Sequence, residues 1–96
     1  MENEDNEAIH IPIDGVLDLH MFAPADAASV VDEYIRACLE KGIYEVRIVH
    51  GKGKGVLRRT VHALLKKHPQ VTDFHLDSGL SGWGASIALL KRDSET

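Results

Sequence analysis

The stretch Val49-His50-Gly51-Lys52-Gly53-Lys54-Gly55-Val56-Leu57-Arg58-Arg59 decides the fold. It joins a strand-like segment, Glu45–Val49, to a helix-like one, Val56–Lys67, through a loop in which every second residue is glycine. A strand running straight into an amphipathic helix is the repeating unit of α/β architectures. Glycine lets backbone N–H groups come close to a ligand, and the start of a helix adds unpaired donors and a partial positive charge. The helix dipole disfavours cations at that end, yet Lys52 and Lys54 sit in the loop and Arg58 and Arg59 in the first turn. Their presence points to binding rather than to helix stability. Phosphate is the expected ligand, held by Gly51, Lys52, Gly53, Lys54, Gly55, Arg58 and Arg59.

Outward from this stretch, hydrophobic periodicity supplies the remaining elements. Upstream, Gly15–His20 reads as a short strand and Pro24–Lys41 as an amphipathic helix with Pro24 at its first position and Gly42 as its cap. Ala27, Val31, Tyr34, Ile35 and Cys38 form the apolar stripe of that helix. The second strand extends back to Ile43, and the basic helix runs Gly55–His68, burying Leu57, Val61, Leu64 and Leu65 before Pro69 ends it. Val71–Leu76 and Ala85–Leu90 read as two further strands. The order β-α-β-α-β-β predicts a two-layer α/β sandwich: a mixed four-stranded sheet, the first three strands parallel, with both helices on one face. The domain is expected over residues 14–92, preceded by a disordered acidic arm (1–13) and followed by a flexible end (93–96).

Composition narrows the function classes. With 96 residues and a single cysteine, Cys38, the chain holds no internal disulfide framework, and a reducing cytoplasm is the expected location. Its apolar runs are too short for a membrane span. The net charge of −4 looks wrong for a polyanion binder until it is mapped. Residues 1–14 carry five acids and no Lys or Arg, which leaves 10 acids against 11 bases in the rest. Between Val46 and Thr72 no acid occurs, while seven Lys or Arg do. Local sign governs capture of a polyanion, so nucleic acid is the expected partner.

Parallel strands joined by a crossover end at the same edge, where open α/β sheets bind ligands. His20 and His50 are therefore expected to meet beside the cationic loop, with Asp18 orienting an imidazole. Two histidines at a phosphate cradle suit general acid–base cleavage of a phosphodiester, with Asp18, His20 and His50 as the catalytic group. Taken singly, each histidine is more simply a strand-end residue bonded to backbone. Asp18, His20 and His75 could also hold one divalent ion, Mg2+ or Mn2+, across the open sheet face. His62 and His68, on a lysine-rich helix, are most simply solvated, and Cys38 is packing. Trp83 stands in a glycine loop, where its indole could stack on an unpaired base or cover the core edge.

Three of these segments carry a resemblance. Leu17-Asp18-Leu19-His20, then His50-Gly51-Lys52-Gly53-Lys54-Gly55-Val56-Leu57-Arg58, then Gly82-Trp83-Gly84-Ala85-Ser86-Ile87 resemble, in order and spacing, the motifs of the Smr (small MutS-related) domain. The resemblance covers roughly residues 15–91 and is to a stand-alone, bacterial-type member. It implies a fold similar to the C-terminal domain of bacterial translation initiation factor 3. It also implies nucleic-acid binding, with DNA-nicking or RNA-cleaving endonuclease activity in some members. The family's acid and histidine fall at Asp18 and His20, its phosphate loop at His50–Gly55, and its arginine at Arg58. This chain departs from the pattern with Met21 where glycine is usual, Ser81 in the usual Gly-Gly pair and Ser86 for threonine. The rival class is a non-catalytic module that positions nucleic acid or the ribosome for a partner.

Overall fold

A computed structural model describes residues 12–51, 55–77 and 84–92. The elements are β1 (Val16–Asp18), α1 (Ala27–Glu40), β2 (Glu45–Val49), α2 (Val56–Lys67), β3 (Val71–Leu76) and β4 (Ala85–Leu90), with 3-10 turns at Leu19–Met21 and Pro24–Asp26. The sheet order is β1-β2-β4-β3. β1 and β2 are parallel, and β4 lies antiparallel between β2 and β3. The first three strands therefore share one direction, and the last in sequence fills the gap between the second and third.

One core lies between the helices and a single face of the sheet. Val31, Tyr34, Ile35 and Cys38 of α1 and Val61 and Leu65 of α2 pack with Leu17, Val46, Ile48, Ala88 and Leu90. Leu57 and Leu64 are only partly buried against it. On β1 and β2 these inward residues alternate with exposed Val16 and half-buried Arg47, as strand geometry requires. On the open face Arg47 Nε bonds Asp77 Oδ2 at 2.9 Å. Among the described residues, no helix is long and apolar enough to cross a membrane.

Two departures from expectation have local causes. β1 stops at Asp18 rather than His20, because Asp18 Oδ1 accepts the His20 backbone N–H at 2.9 Å and turns the chain out of the sheet. Pro12 and Ile13, assigned to the acidic arm, are tied in: Tyr34 Oη lies 3.2 Å from the Pro12 carbonyl, and Ile13 packs on the core. Residues 1–11 and 93–96, which hold the rest of the expected arm and end, lie outside the described residues. So do Lys52, Gly53, Lys54 and Trp83.

Candidate nucleic-acid site at the strand ends

Asp18 and Val49 are register partners at the ends of β1 and β2, so the turn after each strand leaves the sheet side by side. The Asp18 carboxylate takes two hydrogen bonds on one oxygen, from the His20 backbone N–H at 2.9 Å and from His20 Nδ1 at 3.0 Å. A carboxylate only accepts, so the proton of neutral His20 resides on Nδ1 and Nε2 presents its lone pair. That Nε2 sits against Gly51: a Cβ added there would lie 2.5 Å from it. Gly51 also has φ +83°, so both backbone and ring demand glycine. With its side chain 58% exposed, His20 is an oriented imidazole open to solvent.

His50 is placed differently. Its ring is buried, 4% exposed, with Nδ1 3.0 Å from the Gly51 carbonyl and Nε2 2.8 Å from Ser86 Oγ. Burial pushes its pKa down; the Gly51 carbonyl opposes this, and the Arg58 and His20 charges add to the lowering. His50, expected as the second proton carrier, therefore meets the Gly51 turn from inside and not from the solvent side. His62, expected in solvent, is also drawn in. Its Nε2 lies 2.7 Å from the same Ser86 oxygen, its ring packs on Phe74, and burial lowers its pKa. The Gly84 carbonyl accepts the N–H groups of both His50 and Gly51, at 2.9 and 2.8 Å, so the start of β4 seats the turn.

Gly55 caps α2 with φ +80°. Both arginines of the first turn fold back over it: a Cβ at Gly55 would lie 2.9 Å from Arg58 Nη2 and 3.4 Å from Arg59 Nη1. No acidic residue occupies that turn. Two guanidiniums therefore stand at the helix start, where N–H donors and dipole already favour an anion.

Residues 17–91 match the Smr domain, the greater part of the chain. The chain belongs to the Smr domain family. It is 34% identical over 80 residues to a protein named endonuclease MutS2 from Clostridium tetani, and 41% identical over 76 residues to its namesake from Brevibacillus brevis. These alignments take in 82% and 78% of this chain but only 10% of either relative. The crystal structure of the Smr domain of Thermus thermophilus MutS2 superposes with a TM-score of 0.73 at 28% identity, covering 79% of this chain and 96% of that one. YdaL, a stand-alone small MutS-related protein from Escherichia coli, shares the fold with a TM-score of 0.75 at 22% identity, covering 90% and 71%.

Within this Smr domain the expected metal group does not assemble. His75 is on β3 and Asp18 on β1, the two opposite edges of the sheet. Three inter-strand steps of about 4.8 Å separate them, roughly 14 Å, whereas shared ligands lie about 2–2.6 Å from one ion. Among the described residues, no three His, Cys, Asp or Glu side chains are grouped to hold a metal. His68, also expected in solvent, instead staples the helices: Nε2 donates to Asp32 Oδ1 at 2.8 Å while Nδ1 accepts the Gln70 N–H. Cys38 is buried packing, as expected. The sequence held a partial signal for His62: it stands four residues after Arg58 and beside the inward Val61, so helical spacing keeps it near the site.

Proposed function

We propose that this Smr domain binds nucleic acid at the edge formed by Gly51, Gly55, Arg58 and Arg59, with Lys52 and Lys54 of the same loop, and cleaves a phosphodiester there. The observation that carries it is the Asp18–His20 pair resting on Gly51, beside two guanidiniums drawn over a helix start. The arginines and backbone donors neutralise a phosphate and the charge that builds on it during attack. His20 Nε2 takes the proton of the attacking hydroxyl, from water or a ribose 2′-OH, and Asp18 stabilises the resulting imidazolium. The bond from phosphorus to the leaving oxygen breaks, and that oxygen takes a proton from solvent. Structured DNA or RNA suits the site better than sequence-read duplex, since neither α1 nor α2 carries the combined Asn/Gln/Arg pattern of a major-groove reader.

A second function, binding without cleavage, is favoured by one observation: His50 is buried with both ring nitrogens engaged, so among the described residues one exposed histidine, His20, faces the cradle. One experiment decides. Labelled single-stranded, duplex and branched DNA and RNA are incubated with the pure protein, with and without Mg2+ or Mn2+. Cleavage lost in His20→Ala and kept in His75→Ala, on the far strand, supports the nuclease; product equal in both shows contamination. Binding itself should weaken steeply with salt. Neutralising about four phosphates gives a log–log slope of about −3.6 on duplex DNA, and a flat response would sink both functions.

A further inference from the structure

Ser86 Oγ has one proton and two imidazole nitrogens within reach, His50 Nε2 at 2.8 Å and His62 Nε2 at 2.7 Å. The pairing pattern fixes their direction. His50 Nδ1 faces the Gly51 carbonyl, which can only accept, so that nitrogen carries the proton. Neutral His50 then offers a lone pair at Nε2, and the Ser86 hydroxyl must donate to it. Ser86 Oγ is left to accept, so His62 must bring its proton on Nε2. One polarity runs through four groups: His62 Nε2–H to Ser86 Oγ, Ser86 O–H to His50 Nε2, and His50 Nδ1–H to the Gly51 carbonyl.

We propose that His62 is a positioning residue for the phosphate turn, acting through Ser86 and His50 to hold the Gly51 carbonyl inward. A carbonyl turned out toward the ligand would set a partial negative charge where an anion must dock. Ser86 is fully buried, so a donor missing from its oxygen is not replaced by bulk water. His62 also lies one helical turn beyond Arg58, so the same bond fixes how α2 is rotated beneath that guanidinium. The proposal rests on the phosphate role of the turn given above.

The test compares His62→Gln, whose amide nitrogen can reach Ser86 as Nε2 does, with His62→Leu, which has no donor. In free protein, amide exchange at His50 and Gly51 should quicken about tenfold in His62→Leu and stay within about twofold of wild type in His62→Gln. Affinity for labelled single-stranded DNA should fall about tenfold and recover in the same pattern. In histidine-labelled wild-type protein, nitrogen NMR should find His62 protonated on Nε2 and His50 on Nδ1. Unchanged exchange in His62→Leu, equal acceleration in both variants, or a His62 proton on Nδ1 would overturn the proposal. If His62→Leu does not fold, the wild-type ring protons still decide. Exchange and ring protons are read without nucleic acid, so a wild-type chain that binds none refutes the phosphate role separately.

Discussion

Gly42 and Gly51 have nearly the same backbone, φ +76° and +83°, but different neighbours. Nothing lies within 4 Å of a Cβ at Gly42, whereas His20 Nε2 blocks one at Gly51. The two therefore separate backbone strain from site geometry. Gly42→Ala should cost about 1–2 kcal/mol in urea unfolding and leave nucleic-acid binding and cleavage at wild-type levels. Gly51→Ala should cost a similar amount, because the exposed His20 ring can swing aside, and reduce binding or cleavage at least tenfold as that ring leaves its place. At this scale Asp18, His20 and Gly51 were legible, since a short motif carries its own geometry. The inward turn of His50 and His62 was not. It depends on Ser86, distant in sequence, and no carboxylate two residues away orients either ring as Asp18 orients His20.

Periodicity made the elements legible: all five residues of the predicted α1 stripe are buried, and β3 and β4 have the bounds expected of them. β1 was overextended because alternation continues past Asp18 although hydrogen bonding does not. What periodicity cannot show is how so short a strand is held. The Tyr34 hydroxyl, on α1, accepts from the Gly15 N–H at 3.1 Å and the Asp14 N–H at 3.3 Å, and lies 3.0 Å from the Val16 carbonyl to which it can donate. It serves as the missing partner for the chain entering β1. Tyr34→Phe keeps the packing and removes the bonds. It should destabilise the domain by about 1–3 kcal/mol, read as a lower urea midpoint with an unchanged slope.

For the whole molecule, the buried histidines set an acid limit. Burial holds His50 and His62 below the ordinary value of 6.5, with Arg58 facing both rings, His20 facing His50, and His50 facing His62. Well above 6.5 both are neutral folded and unfolded, and contribute no pH dependence. Below it the unfolded chain takes up protons first, so stability falls as pH drops from 6.5 toward their folded values. Asp32 is lowered from 3.8, chiefly by its hydrogen bond from His68; its contribution is present above 3.8 and is lost as pH falls through its folded value. The urea midpoint should thus decline in two windows, one starting near 6.5 and one below 3.8. His62→Gln should shrink the first and spare the second. The order of elements was legible on this scale; the strand order was not. Ala85-Ser86-Ile87-Ala88-Leu89-Leu90 is a nearly unbroken apolar run, as an interior strand tends to be, but which two strands it would separate is a tertiary matter.

The interior place of β4 governs when the molecule comes into being during synthesis. Among the described residues β3 has no sheet partner but β4, and β2 has only the three-residue β1 until β4 arrives. The Gly84 carbonyl and Ser86 hydroxyl that grip His50 and Gly51 come with that same late segment. A chain emerging from the ribosome thus exposes His50 and Gly51 before the groups that hold them have been made. A message cut short before residue 84 yields a polypeptide that has His50 and Gly51 in its sequence but lacks both of the groups that hold them.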